Sequence, residues 1–290
     1  MKTPRSWLFA PGDQPAKMAK AAGSGAGAVI LDLEDSVAEV AKPAARSATA
    51  EFLGARAPGG PQLWVRINPL STAHAAADLA AVLPSAPDGI VLPKPDGPQD
   101  VVRLAHDLRR FEAEAGLAEG SVRILPIATE TPASIFALGG YGVVGARLVG
   151  LTWGAEDLPA AVGAQINRLP DGSYTDLCRL ARALCLAGAA AADVAAIETV
   201  YPAFKDLDGL RAYAGAGRRE GFVGMMAIHP AQVEIIEQVF RPSPAEIAHA
   251  RQVVALFEAN PNAGALALDG RMLDKPHLKQ AQRLLAGIEG

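Results

Sequence analysis

Short apolar runs alternate along the chain with longer Ala- and Leu-rich stretches of helical spacing. The runs fall at residues 7–9, 28–33, 63–67, 89–92, 123–128, 148–152, 194–198 and 222–228. Six of the eight are nearly continuous rather than alternating, the pattern of parallel strands buried on both faces. Between them, residues 14–22, 43–53, 73–83, 98–115, 176–192 and 207–217 read as helices, and 231–239 reads as the eighth. Repeated strand–helix units imply a parallel sheet, and eight of them imply an α/β fold of the (β/α)8 TIM barrel type. An open doubly wound sheet is the alternative. The barrel is expected over residues 1–241.

Beyond it, Pro242-Ser243-Pro244 breaks the chain and opens a new helix, with Ser243 as its N-cap. That helix stops near Asn260-Pro261-Asn262. A short apolar run at 265–268, an Asp269-Gly270 turn and a last helix from about Pro276 follow. Residues 242–290 thus form a C-terminal helical extension. It is too small for a core of its own and is expected to pack on the barrel or on a neighbouring subunit.

Composition narrows the class. Half of the 290 residues are hydrophobic and 20% are charged, which excludes a disordered chain. A net charge of −4 lacks the basic field of a nucleic-acid binder. The longest uncharged stretch, residues 131–146, is shorter than the roughly 20 residues of a membrane span and holds Pro132 and several glycines. The four-residue apolar run at 7–10 is too short for a signal-peptide core. Cys178 and Cys185 sit seven apart on one predicted helix, roughly 10 Å, too far for a disulfide. They read as small core residues, and a cytoplasmic location is expected.

The informative polar residues follow the strands. Asp32-Leu33-Glu34-Asp35 follows the second, Arg66 and Asn68 end the third, Lys94 follows the fourth, Glu130 the fifth, Glu156-Asp157 the sixth, and His229 the eighth. In a (β/α)8 barrel all strand C-termini lie on the face that holds the active site. Glu130 and Asp157 offer carboxylates from adjacent strands and suit Mg2+, which takes one or two protein carboxylates and lets water and substrate complete its octahedron. Arg66 shares a face with Trp64; a structural ion pair with an acid such as Glu34 is its other reading. An acid after a strand also commonly caps the next helix, which applies to Asp35 and Glu156 above all. His229 has no His or Cys partner at ligand spacing and reads as structural. Gly23-Ser24-Gly25-Ala26-Gly27 precedes a strand instead of joining a strand to a helix, so it reads as a helix stop and not as a dinucleotide loop.

In order along nearly the whole chain, several blocks resemble the citrate lyase β-subunit family within the HpcH/HpaI aldolase and citrate lyase group. They are Ser6-Trp7-Leu8-Phe9-Ala10-Pro11-Gly12, Val29-Ile30-Leu31-Asp32-Leu33-Glu34-Asp35, Val65-Arg66-Ile67-Asn68, Val91-Leu92-Pro93-Lys94, Ala128-Thr129-Glu130-Thr131, Trp153-Gly154-Ala155-Glu156-Asp157-Leu158, Ile228-His229-Pro230-Ala231-Gln232 and Gly270-Arg271-Met272-Leu273-Asp274-Lys275-Pro276. The resemblance implies a homo-oligomeric barrel, a trimer or a multiple of one. It implies Mg2+-dependent cleavage of a 3-hydroxyacyl thioester of CoA or of an acyl carrier protein into an acetyl thioester and a 2-oxo acid. It puts Glu130 and Asp157 on the metal and Arg66 on the thioester carbonyl. Asp32, Glu34 and Asp35 stand around the metal and its waters, and Lys94 is a candidate for charge stabilisation or a phosphate. Asp274 is implied as a general acid/base reaching a neighbouring barrel; its alternative is a cap on the last helix. A thioester hydrolase on the same scaffold and a non-catalytic subunit of a lyase complex are the alternative functions.

Overall fold

All eight apolar runs are strands. In chain order the elements are β1 (Ser6–Pro11), α1 (Pro15–Ala22), β2 (Ala28–Asp32), α2 (Lys42–Gly54), β3 (Gln62–Arg66), α3 (His74–Val82), β4 (Gly89–Leu92), α4 (Pro98–Glu114), β5 (Arg123–Pro126), α5 (Pro132–Ile135), β6 (Gly150–Thr152), α6 (Asp157–Ala161), α7 (Asp176–Ala191), β7 (Ala195–Glu198), α8 (Leu207–Glu220), β8 (Gly224–Ala227) and α9 (Ala231–Phe240). The computed structural model describes residues 3–289. It divides the chain into two compact units, with a boundary after Phe240.

The sheet runs β5-β4-β3-β2-β1-β8-β7-β6 with every pairing parallel. Its two ends meet. Parallel bridges join Ile124 to Leu148 and Ile127 to Thr152, and the Ala128 amide donates to the Thr152 carbonyl at 2.7 Å. That seam closes the barrel and rules out the open sheet.

Two apolar layers explain the continuous runs. Trp7, Ile30, Trp64, Val91, Leu125, Ile197 and Met226 fill the barrel, with the Trp7 and Trp64 rings edge to face at 5.0 Å. The alternate positions, among them Leu8, Val29, Leu31, Val65 and Ile90, pack outward on the helices. On this outer side Arg147 forms a buried ion pair with Glu112, and Arg182 pairs with the buried Glu198 and with Glu220. Cys178 and Cys185 are buried in α7 with free thiols. Gly23 ends α1 and Gly25 turns at φ +82°, the expected helix stop.

The β5–β6 connection departs from the simple repeat. Pro132 and Gly139, Gly140 and Gly142 leave no helical period there. The chain makes only α5, started by Thr131 accepting from the Ser134 amide, and a 3-10 turn over Leu138–Val144.

In the second unit, α10 (Pro244–Ala259) starts at Ser243 with a full capping box to Glu246. β9 (Ala265–Leu268) and β10 (Arg271–Asp274) form an antiparallel hairpin, and α11 (Lys275–Glu289) follows. Asp269 and Gly270 both take positive φ, 49° and 76°, as a two-residue hairpin turn of the primed type requires. Contrary to the expectation from its size, this unit has a small cluster of its own, Ala250, Val253, Phe257, Leu273 and Ala281. β10 went unread because its Arg-Met-Leu-Asp does not alternate.

The interior leaves no room at Gly89, where a Cβ would lie 2.2 Å from Trp64 Cζ3. Gly89→Ala should therefore cost about 1–3 kcal/mol, the usual penalty of overpacking. Urea unfolding should show a lower midpoint at unchanged slope; a wild-type midpoint would mean that the barrel interior is not packed as described.

Candidate active site

The site begins with strand register. Asp32 and Arg66 are Cα partners at the C-terminal ends of β2 and β3. Arg66 Nε and Nη2 each donate to one Asp32 oxygen at 2.7 Å, a two-pronged fork. The same carboxylate accepts the amides of Glu34 and Ser36 at 3.0 and 3.2 Å, which curls the loop leaving β2. Glu34 Oε2 then lies 2.9 Å from Arg66 Nη1, off the line of its N–H: an ion pair without a hydrogen bond. The guanidinium rests over the Phe9 ring at 4.9 Å. Burial drives the Asp32 carboxyl up, and Arg66 with the hydrogen bonds outweighs it, so its pKa ends below the ordinary value. For Glu34 burial prevails over Arg66 and Lys94, and its pKa ends raised.

Lys94 links this group to the opposite side of the mouth. Its Nζ donates to Glu34 Oε1 and lies 3.4 Å from Asp35 Oδ2 and 3.2 Å from Asp157 Oδ1. Its backbone amide donates to Glu130 Oε2 at 2.7 Å. One residue thus engages four carboxylates, and it does so from a left-handed backbone, φ +51°, that is strained for any residue with a Cβ. Glu130 is buried, and its pKa is pushed up to about 8, first by burial and then by Asp157 and Glu34. Gly154 makes room for it: a Cβ there would stand 2.8 Å from Glu130 Cγ.

The arrangement carries surplus negative charge. Among the described residues, the cations facing Asp32, Glu34, Asp35, Glu130 and Asp157 are Arg66 and Lys94. Among the described residues no three of His, Cys, Asp and Glu converge as a preformed metal cage. Two carboxylates suffice for a hard divalent cation that keeps water and substrate ligands, and Glu130 with Asp157 is a donor set of that kind. A carboxyl pushed up to about 8 by burial, and further by Asp157 and Glu34, is also one whose charged form a bound cation would favour.

Of the residues singled out in the sequence, Arg66, Glu34, Lys94, Glu130 and Asp157 come together at the mouth. Arg66 is not idle there: its three nitrogens face Asp32 and Glu34, which leaves N–H groups on Nη1 and Nη2 for a ligand. Lys94 Nζ is committed to carboxylates. Asp274 lies in the second unit, at the end of β10. There its Oδ1 is 2.5 Å from His277 Nδ1, which also meets the Asp274 amide at 3.2 Å. His229 stacks on Phe204 at 5.0 Å. Sequence reasoning passed over Lys42, whose buried ammonium touches the back of the Asp32–Asp35 loop. A lysine ten residues past a strand gives no pattern that points inward.

A family description, HpcH/HpaI aldolase/citrate lyase, matches residues 5–230. The chain belongs to this family. It is 37% identical over 280 residues to a citrate lyase subunit beta-like protein of Mycobacterium tuberculosis, covering 96% of this chain and 93% of that one. It is 35% identical over 294 residues to a (3S)-malyl-CoA thioesterase of Cereibacter sphaeroides, covering 98% and 94%. Among solved structures it resembles Mycobacterium tuberculosis CitE in complex with magnesium, acetoacetate and coenzyme A. There the TM-score is 0.78 at 35% identity, over 99% of this chain and 98% of that one.

The raised Glu130 pKa fixes a pH dependence. An acid whose folded pKa, about 8, exceeds its ordinary 4.5 stabilises the fold fully below about 4.5, and that contribution is lost as pH rises towards 8. In chelator-treated protein, unfolding free energy should therefore fall more steeply between about pH 5 and about pH 8 in the wild type than in Glu130→Gln. Parallel pH profiles for the two would refute the assignment.

Proposed function

We propose that this protein is a Mg2+-dependent carbon–carbon lyase that splits a 3-hydroxyacyl thioester of the citryl, malyl or citramalyl type into an acetyl thioester and a 2-oxo acid. The observation that carries the reading is the opposition, across one barrel mouth, of a pinned guanidinium and a surplus of hard carboxylates. The first suits a developing enolate oxygen and the second a cation with its oxo-acid ligands.

Glu130 and Asp157 would hold the ion. When bound, Mg2+ supplies polarisation and alignment of the oxo-acid oxygens. Arg66 keeps a fixed direction because Asp32 grips its far edge, and its remaining N–H groups donate to the thioester oxygen. In the cleavage the C–C bonding pair moves to the acetyl fragment as an enolate. The hydroxyl-bearing carbon becomes a carbonyl, and its hydroxyl proton passes to water. The acetyl carbon must then gain a proton. We assign that transfer to Asp274 of a neighbouring subunit, since the acids at the metal are engaged. Glu34 sets both cations, Arg66 through Oε2 and Lys94 through Oε1.

The thioesterase among the relatives supports a second reading, hydrolysis of the same class of thioester. Incubation of purified protein with citryl-, malyl- and citramalyl-CoA, with and without Mg2+, separates the two. The lyase releases a 2-oxo acid with no free thiol, and the hydrolase releases thiol. Glu130→Ala and Asp157→Ala should abolish the Mg2+-dependent rate, and Arg66→Lys should lower kcat more than it changes KM, because lysine lacks the planar fork. Free thiol as the main product would replace the lyase reading with the hydrolase one.

Subunit mixing tests Asp274. Inactive Asp274→Ala and inactive Glu130→Ala proteins, mixed under conditions of proven exchange, should regain part of the activity, because some mixed sites carry both residues. No recovery would make the in-trans assignment wrong, and full activity of Asp274→Ala alone would leave the residue a cap on α11.

A further inference from the structure

Behind the acid loop of β2 lies a buried polar chain that the reaction itself does not use. Lys42, the first residue of α2, is 7% exposed, and its Nζ has three neutral acceptors. They are the Leu33 carbonyl at 3.0 Å, the Glu34 carbonyl at 3.1 Å and Asn68 Oδ1 at 2.7 Å. Asn68 Nδ2 donates to the same Leu33 carbonyl at 2.9 Å and to Asp78 Oδ2 at 2.7 Å. Asp78, fully buried on α3, also accepts the Asn68 amide at 2.8 Å and Arg46 Nε at 2.7 Å. The chain therefore runs from α2 and α3 to two consecutive carbonyls of the loop.

Those carbonyls belong to the residues that turn Glu34 towards the mouth. The Glu34 side chain leaves on one side to meet Arg66 and Lys94, while its carbonyl and that of Leu33 leave on the other to meet Lys42. A buried ammonium costs several kcal/mol in desolvation, and an apolar residue of the same length would fill the space as well or better. Packing alone does not ask for a charge here. Fixing two adjacent carbonyls does, because a single ammonium can hold both at once with three rotatable donors.

We propose that Lys42 is a positioning residue for the barrel-mouth site. It locks the Leu33–Glu34 backbone and thereby holds Glu34 between Arg66 and Lys94. The catalytic consequence rests on the lyase reading above, but the structural consequence does not.

The test uses the whole chain and Lys42→Met, which keeps an unbranched side chain one atom shorter and removes the charge, with Lys42→Gln as a second variant should the first not fold. Hydrogen exchange in the peptide covering residues 32–37 should rise, while the peptides of the barrel strands stay as protected as in the wild type. On whichever thioester the wild type turns over, kcat should drop about 10- to 100-fold, with KM within about twofold, as is usual when a group that orients the reacting shell is lost. Because Lys42 acts through Glu34, the Lys42→Met, Glu34→Gln double variant should be no slower than Glu34→Gln alone. Unchanged exchange at 32–37, a uniform loss of protection over the whole chain, or effects on kcat that multiply in the double variant would each overturn the proposal. If the wild type cleaves none of the thioesters yet the local exchange effect is present, the lyase reading fails while the positioning role stands.

Discussion

The fork between Arg66 and Asp32 sets the geometry of the barrel mouth. The two residues are partners on adjacent parallel strands, so their backbones are fixed by the barrel's own hydrogen bonding and not by a loop. A guanidinium held by two 2.7 Å contacts to one carboxylate cannot rotate without giving up both. Removing one partner of such a buried pair typically costs about 3–5 kcal/mol, because the other charge is left stranded. From this fixed pair the arrangement propagates outward: Nη1 faces Glu34, Glu34 meets Lys94, and Lys94 reaches Asp157 and, through its amide, Glu130. Rigid strands thus supply direction to groups that are themselves on loops, as a preorganised site requires.

The same chain of contacts explains local features that would otherwise be unfavourable. Lys94 adopts a left-handed backbone between Pro93 and Pro95, and this lets its amide and its ammonium serve opposite sides of the mouth. Gly154 tolerates the approach of Glu130, which any side chain there would displace. Burying Glu130 beside Asp157 and Glu34 raises its proton affinity. Strain, an obligatory glycine and a frustrated carboxyl all fall within one cluster, whereas the outer ion pair Glu112–Arg147 is satisfied one to one. That pair balances its charges; the mouth, with five carboxylates around Arg66 and Lys94, does not, and uncompensated charge of this kind is concentrated at functional sites.

Much of this was legible in the sequence because the barrel converts position along the chain into position in space. Continuous apolar runs gave the strands, and the polar residue after each run had to lie on one face. That rule put Arg66, Glu34, Lys94, Glu130 and Asp157 on the face, together with Asn68, Glu156 and His229, and the family resemblance selected among them. What the rule could not supply was pairing. Whether Arg66 met Asp32 or Glu34 depends on strand register, and the answer is both, in different ways. Lys42 escaped because a helix-start lysine carries no periodic signal, and only the fold turns it back towards β2. The β9–β10 hairpin was half visible: Asp269-Gly270 announced the turn, but Arg271–Asp274 lacks the alternation that marks a strand. The small cluster around Phe257 was missed because the size of the segment argued against any core.

Lyase and hydrolase chemistry ask for nearly the same site, and the reason lies in where charge develops. Breaking the C–C bond sends an electron pair towards the thioester carbonyl oxygen; attack of water on the thioester carbon sends one to the same oxygen. A guanidinium aimed at that atom would serve both, so Arg66 in the proposed role does not distinguish them. A cation held by Glu130 and Asp157 would not either, since aligning the acid end of the substrate would hold it still in each case. The difference arises at the neighbouring carbon. Cleavage needs a proton donor over the acetyl carbon and gains from excluding water, while hydrolysis needs a water molecule at the thioester carbon. Asp35 is 60% exposed and Asp157 a third exposed, so within the barrel unit the mouth is open to solvent. A barrel of this kind favours cleavage only when something both covers the mouth and carries an acid, and two families of reaction can therefore share one barrel while differing in what is placed above it.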